Sequence, residues 1–467
     1  MRRPITSAVP APAGSAATAP GWPLGRPDPR WLLLIFLMAL AARVGWILLS
    51  PVTPASDAAY YDQAARDLAA GKGYLMGGRP TAYWPVGFPA FLAGVYWLVG
   101  YSVAAAQVCQ ALLGASTAVL AAMLGARVFG PAAGHLAGLL LAVSPNDASY
   151  AAVLLSEPLF TTLLVAALLL LLPSGLSSGY LAAGDLARHA AAGVLLGLAA
   201  HVRPVVLLLP IALGAWRWWQ GGRVPRALGL YAVVLIAMGL TLSPWVARNW
   251  TVLGHPVVVS TNGGVNMWIG NNPRATGKYE TLPGPGLRGT GLGEVERDRA
   301  GYREAAAFIR AHPGRYLWLS LRRVGHLFAR GWDGVYENLR AVEPPVSTTS
   351  RVMLYGLAQV HYGLLMLAAL AGMAWLGGLR GGGGLLLTVA LYWLAVHMAI
   401  MAEPRYRFPL MPILAAFAGA FLASRLPLRL GATAGSATPE AARPRAARGG
   451  ERPGEATAAH VRSQRGD

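Results

Sequence analysis

Apolar residues along this chain gather into long unbroken runs rather than into the one-sided stripe of a soluble helix. The first runs from Trp31 to Leu49, a length that lets a helix cross the hydrocarbon layer of a bilayer. Further runs at 102–126, 131–146, 151–172, 190–202, 204–219, 227–247, 354–377, 384–401 and 408–424 bring the count to about ten. The pattern predicts an all-α integral membrane protein. Its first run is too long for a signal-peptide core and reads as an uncleaved anchor. Two runs, 190–202 and 204–219, are short and meet at Arg203-Pro204, so they form a hairpin or one long kinked helix. The stretch from Val86 to Gly100 is apolar but leads directly into the next run. It reads as an interfacial or re-entrant helix rather than a crossing.

Charge orients the spans. With the N-terminus cytoplasmic, ten spans leave Arg127, Arg188, Arg217, Arg223, Arg226, Arg380 and the C-terminal tail inside, as the positive-inside rule requires. Treating 190–219 as one span would export the Arg217–Arg226 group, which favours the hairpin. The resulting organisation is a disordered cytoplasmic segment at 1–30 and a transmembrane module at 31–247 with an outer loop at 51–101. An extracytoplasmic loop follows at 248–353, then C-terminal spans at 354–424 and a disordered basic cytoplasmic tail at 425–467. Within the large loop, 315–331 has apolar residues at helical spacing with Arg315, Arg322, Arg323 and Arg330 between them. That pattern predicts an amphipathic helix lying on the outer leaflet.

Composition narrows the class. Hydrophobic residues make up 55% of the chain and charged residues 13%, against about 25% charged in soluble proteins. The formal net charge of +19 is almost all arginine and is densest in the tail, as expected for a segment lying against anionic lipid. No nucleic-acid-binding module or aromatic interleaving accompanies it. The lone Cys109 excludes disulfides and cysteine metal sites. No histidine pair has metal-ligand spacing, and there is no glycine-rich phosphate loop or nucleophile triad.

Candidate chemistry rests on few acids. From Trp31 to Ala247 they are Asp57, Asp62, Asp67, Asp147, Glu157 and Asp185, and all but Asp185 fall on the outer face. Carboxylates near membrane depth are costly and usually functional. Ser56 can cap a helix running to about Ala70 with Gly71 as its stop. Asp57 then sits in the first turn, ahead of Tyr60 and Tyr61, either as a favourable first-turn acid or as a reacting group. Glu157, in Leu155-Ser156-Glu157-Pro158, lies at the outer mouth of a span with Asp147 nearby. Glu403-Pro404-Arg405-Tyr406-Arg407 joins the last two spans on that face. Arg405 and Arg407 there either bind phosphate bidentately or pair with Glu403 and snorkel; Arg203 and Arg248 carry the same two readings.

These pieces occur in a set order. Asp57 with Tyr60-Tyr61 is followed by Gly71-Lys72-Gly73-Tyr74, then by Gly78-Arg79-Pro80-Thr81-Ala82-Tyr83-Trp84-Pro85 and Gly87-Phe88-Pro89. Ser156-Glu157, Arg203-Pro204, Ser243-Pro244-Trp245, Arg248-Asn249-Trp250, Gly270-Asn271-Asn272-Pro273 and Arg405-Tyr406-Arg407-Phe408-Pro409 come after them. From about Trp31 to Ser424 the chain resembles the dolichyl-phosphate-mannose-protein mannosyltransferases and their bacterial relatives, including the lipid A aminoarabinose transferases. The resemblance implies a C-type glycosyltransferase fold with its active site open to the extracytoplasmic side of a bacterial inner membrane. It implies a polyprenyl-phosphate donor bearing one sugar and an extracytoplasmic acceptor: protein, lipid or cell-envelope glycan. The family's first-loop acid falls on Asp57, with Glu157 as a second catalytic candidate. Tyr60, Tyr61, Arg79, Asp147, Arg203, Arg248, Arg405 and Arg407 become candidate substrate contacts. In the aminoarabinose branch an acid and a lysine precede the loop's proline, whereas Tyr83 and Trp84 precede Pro85 here, with Arg79 as a substitute. No cofactor is implied with certainty, and a divalent cation is left open. The alternative class is a lipid-linked sugar flippase or transporter, although no internal repeat of the kind such proteins carry is visible.

Overall fold

Helix α1 (Pro29–Leu49) has 21 residues, about 31 Å at 1.5 Å per residue, which matches the hydrocarbon thickness of a bilayer. The computed structural model describes residues 27–172, 183–221, 224–280, 291–342, 345–375 and 381–426. The segments expected to be disordered, 1–30 and 425–467, lie almost wholly outside the described residues, as do Arg223 and Arg380. After α1 come α2 (Asp57–Ala69), α3 (Gly87–Val99), α4 (Val103–Phe129), α5 (Pro131–Ala142), α6 (Pro145–Ser149), α7 (Glu157–Leu171), α8 (Ala183–Val202), α9 (Leu209–Trp219) and α10 (Val224–Leu253). The large loop holds α11 (Gly263–Gly270), α12 (Glu294–Ala311), α13 (Pro313–Phe328) and α14 (Asp333–Leu339). The last three are α15 (Thr348–Trp375), α16 (Gly381–Ala399) and α17 (Met411–Arg425), the latter entered through a 3₁₀ helix at Pro404–Leu410.

Every expected run contains a helix, though 151–172 is helical only from Glu157, and among the described residues six helices are long and apolar enough to cross a membrane. These are α1, α4, α10, α15, α16 and the continuous Pro404–Arg425 segment. Helices α5, α7 and α9 are shorter, at 12, 15 and 11 residues, because Ser144-Pro145, Ser156-Glu157-Pro158 and Arg203-Pro204 each interrupt a run. At Arg203-Pro204 the chain reverses. Along α8, His189 meets Tyr231 of α10 edge to face, Gly193 lies against the Val234 carbonyl, and His201 bonds the Thr241 carbonyl. Helix α8 therefore runs parallel to α10. Gly214 of α9 returns to Tyr231, so α9 runs back toward the start of α10, as the hairpin reading requires.

Backbone contact holds the bundle together. A Cβ at Gly134 would lie 2.3 Å from the Ala122 carbonyl oxygen, and one at Gly419 would lie 2.2 Å from that of Ala133. Helices α4, α5 and α17 thus meet through small residues, which is how membrane helices gain van der Waals contact without a hydrophobic driving force between them.

The two long loops are tied to one another. Helix α2 is joined to α3 by Asp62, whose buried carboxylate accepts from the Tyr96 hydroxyl at 2.7 Å. The 13-residue α3 falls, like α5, α7 and α9, below the length of the six spanning candidates. It lies on α8 at Gly87, where a Cβ would stand 2.6 Å from the His201 carbonyl carbon. Strands β1 (Leu75–Met76) and β2 (Arg79–Pro80) pair antiparallel through Gly77-Gly78, whose φ values of 56° and 74° suit a two-residue hairpin turn. Glu294 of α12 accepts from the Thr81 hydroxyl at 2.6 Å and the Ala82 N–H at 2.8 Å, pinning the first loop to the large one.

Two local expectations need correction. Gly71 does follow α2 with φ +72°, but Ser56 makes no side-chain cap. It takes φ +54°, which among the described residues no other non-glycine residue shares in sign. With that backbone the hydroxyl misses the helix N–H groups. Helix α13 exposes Leu317, Trp318 and Leu321, with Arg315 and Arg322 stacked on Trp318 at 4.1 and 4.6 Å. Arg323 does not belong to that exposed set. It is fully buried and donates to the carbonyls of Met398 at 2.7 Å, Ala399 at 3.1 Å and Gly270, and to Asn271 Oδ1 at 2.9 Å. One guanidinium thereby caps the C-terminal ends of α16 and α11, where carbonyls lack helical partners.

Candidate active site

Three acid–arginine pairs gather beyond the end of α1. Asp57 occupies the first position of α2 and meets Arg405 Nη1 at 2.9 Å across 348 residues of sequence. Glu157, at the first position of α7, has no exposed surface and lies 2.5 Å from Arg203 Nη2. Neither oxygen of Glu157 carries a hydrogen bond of ordinary geometry, so Arg203 neutralises it chiefly by charge. Arg203 Nε donates to Ser156 Oγ at 3.0 Å, which fixes the guanidinium beside the helix start. The third pair is Glu337 of α14 with Arg340 at 2.6 Å. Asp57, Arg405, Glu337 and Arg340 line a cleft holding about 410 Å³ of space, part of it open to solvent. Its remaining walls are the 52–55 link and the 152–155 turn.

Aromatic rings hold the pairs apart. The Tyr406 ring lies under both Arg203, at 5.8 Å, and Arg405, at 5.5 Å, so both cations face a negative ring surface. Tyr61 is buried against Phe88 and Trp84 at 5.3 and 6.1 Å. Burial raises its phenol pKa above the ordinary value, and Asp57 and Glu157 push the same way against Arg203 and Arg405. Glu337 titrates above an ordinary glutamate because it is buried, with Asp57 and Glu157 adding to the shift and Arg340 and Arg405 opposing it. The site thus lets one carboxylate sense the ionisation of the others.

Of the residues singled out in the sequence, Asp57, Tyr61, Glu157, Arg203 and Arg405 come together. The others do not. Arg407 is buried and donates to the carbonyls of Leu327, at 3.0 Å, and Arg330, lies 3.4 Å from Asp333, and stacks on Tyr362 at 4.2 Å. It caps α13, and its donors are already engaged. Arg248 donates to the backbone carbonyls of Thr81 at 2.7 Å and Tyr74 at 3.1 Å, so it braces the first loop. Asp147 is buried in α6, accepts from the Ser144 hydroxyl, and lines a separate space of about 280 Å³ with Arg43. Arg79 is exposed on the β1–β2 hairpin. Tyr60 packs on Tyr74 and Trp84 at 6.5 and 5.9 Å, one residue round the helix from Tyr61. Arg405 pairs with Asp57 rather than Glu403, whose carboxylate accepts the Tyr279 N–H at 3.0 Å.

Glu337 and Arg340 were missed in the sequence. Their signal was Asp333, Glu337 and Arg340 at i, i+4 and i+7 around Val335 and Leu339, a polar stripe on a short helix inside a long loop. The acids present do not fit a divalent cation. Each is matched to an arginine, and among the described residues no group of three or more His, Cys, Asp or Glu is arranged to hold a metal ion.

No protein-family model matches the chain, and no curated protein matches it in sequence. Solved structures do match. The oligosaccharyltransferase of Archaeoglobus fulgidus in its apo form superposes with a TM-score of 0.51 at 15% identity, covering 85% of this chain and 51% of that one. The same enzyme tethered to an acceptor peptide gives 0.51 at 16% identity, with 85% and 50% covered. ArnT from Cupriavidus metallidurans bound to undecaprenyl phosphate gives 0.48 at 16% identity, with 85% and 60% covered. The chain spans about half the length of the oligosaccharyltransferase structures it matches. Over that span it has the same fold as the archaeal oligosaccharyltransferase, the C-type glycosyltransferase fold of an all-α membrane protein.

Proposed function

We propose that this protein is a membrane glycosyltransferase that moves a sugar from a polyprenyl-phosphate donor to an acceptor on the extracytoplasmic face of a bacterial inner membrane. The observation that carries this reading is the Asp57–Arg405 pair lining the cleft, eight residues beyond the end of an anchor helix. A lipid-borne donor arriving through the membrane and an acceptor arriving from water meet at that level. The shared fold supports the reading, since the oligosaccharyltransferase has been solved with a tethered acceptor peptide.

The step is one displacement. The acceptor oxygen attacks the anomeric carbon while its proton passes to the Asp57 carboxylate. The bond from that carbon to the phosphate oxygen breaks, and its electron pair leaves with the lipid phosphate. Attack opposite the leaving group inverts the anomeric centre. Arg405 is the cation best placed to meet the departing phosphate, with Arg203 behind it, because preorganised donors facing developing charge lower the barrier most. Donor binding would draw Arg405 from Asp57 to the phosphate and free the carboxylate as a base.

The test uses purified protein and undecaprenyl phosphate bearing one labelled sugar. Release of bare lipid phosphate by wild type, and its loss in Asp57→Asn, is the expected result. Translocation of the intact lipid across a vesicle membrane without cleavage would replace this reading with a flippase.

A further inference from the structure

The cleft has a second polar wall that the transfer step does not use. Helix α14 is held in place from several sides. Trp46 Nε1 of α1 donates to Asn338 Oδ1 at 2.9 Å, Val342 bridges Val52 in antiparallel fashion, and the Gly334 N–H donates to Asn146 Oδ1 at 2.8 Å. Those ties fix Glu337 and Arg340 in the same cleft as Asp57 and Arg405.

This wall is not explained by stability. A pair three residues apart with one partner 40% exposed contributes little. Burying the Glu337 side chain to 18% exposure opposes its ionisation, as its raised pKa records. The fold accepts an acid that burial disfavours, at a place open to a ligand.

The chemistry of the wall limits what it holds. Two carboxylates and two guanidiniums border the cleft, so neither sign of charge dominates. With Arg405 assigned to the departing phosphate, Arg340 and the carboxylates remain for another part of the donor. Acceptors alternating with donors match the hydroxyls of a sugar, each carboxylate accepting from O–H groups and each guanidinium donating to their oxygens. We propose that Glu337 and Arg340 form a subsite for the hydroxyls of the donor's sugar and thereby set which sugar is accepted; this rests on the glycosyltransferase reading above.

The test measures binding rather than turnover. Intrinsic tryptophan fluorescence of the detergent-purified full-length chain is titrated with undecaprenyl phosphate, bare or bearing mannose, glucose, galactose or arabinose. Wild type is expected to bind at least one sugar-bearing lipid about tenfold tighter than the bare lipid, the scale of one or two hydrogen bonds to charged groups. Glu337→Gln and Arg340→Gln should erase most of that preference while bare-lipid affinity stays within about twofold. Arg340→Lys should restore part of it. Acidification should weaken the wild-type preference and leave that of Glu337→Gln flat. A preference that survives both substitutions, or variants that weaken bare and sugar-bearing lipid alike, overturns the subsite and leaves the transferase reading standing. Wild type that binds all five lipids equally also overturns the subsite. Wild type that binds none of them overturns both.

Discussion

Arg405 and Arg407 stand two residues apart in one 3₁₀ helix, and their replacement should produce opposite defects. With three residues per turn, side chains at i and i+2 point about 240° apart, so only one can face the cleft. Arg407 points inward, beside Asp333 and the end of α13. Removing one member of a buried, hydrogen-bonded pair is destabilising by about 3–5 kcal/mol. Arg330 remains 2.8 Å from Asp333, so Arg407→Ala should fall near the lower end, about 3 kcal/mol. Arg405 has 25% of its side chain exposed, as does Asp57, and Arg405→Ala should cost no more than about 1 kcal/mol. Its effect on rate should be large, about 10²- to 10³-fold for one preorganised donor at the leaving group. Lysine at 405 should recover only part of that, because it lacks the planar fork. Heating the purified variants and following the monodisperse fraction by size exclusion gives the first quantity. Release of lipid phosphate from a sugar-bearing donor, measured below the melting range, gives the second. An Arg407→Ala protein of normal stability with lost donor affinity would refute the assignment, as would an Arg405→Ala protein of normal rate.

Other outcomes follow from the same geometry. Asp57→Asn should insert and fold normally while transfer falls by about 10²- to 10⁴-fold; Asp67→Asn, whose carboxylate faces Lys72 and Gln63 on the outside of α2, should change transfer little in the same assay. Glu337 has a higher proton affinity folded than unfolded, so protonation favours the folded state on the acid side while it removes a hydroxyl acceptor. Sugar preference should therefore fade as pH drops through a point above the ordinary glutamate value of 4.5, with stability undiminished by this group; a preference rising on acidification would contradict the burial of Glu337. Gly87→Ala would set a methyl 2.6 Å from the His201 backbone and should destabilise by about 1–3 kcal/mol through overpacking, seen as a lower melting temperature. Cysteines placed at Thr276 and Glu403 in a Cys109-free background should react with an impermeant reagent from outside intact cells, and labelling only after lysis would invert the topology.

Sequence alone established the membrane class and the helical runs, because each of these is a local quantity. A run of apolar residues either is or is not long enough to span, and an acid beside it lies where the run ends. Asp57 with Gly71 behind it was legible for that reason, and so was the reversal at Arg203-Pro204. The partners were not legible. Arg405, Arg407, Arg203 and Arg248 read alike as arginines near the outer face, yet one meets Asp57, one caps α13, one neutralises Glu157 and one braces the first loop. Nothing within a few residues of each separates them. Their roles are set by elements as far as 348 residues away, and in the 405–407 pair by the direction each side chain takes around a 3₁₀ turn. Glu337 and Arg340 escaped notice for the same reason, since a short helix in a long polar loop has no meaning until Trp46 and Val52 fix it beside the cleft. Local patterning determined which segments are apolar helices and where charge could sit; only packing of distant segments decided which charge met which.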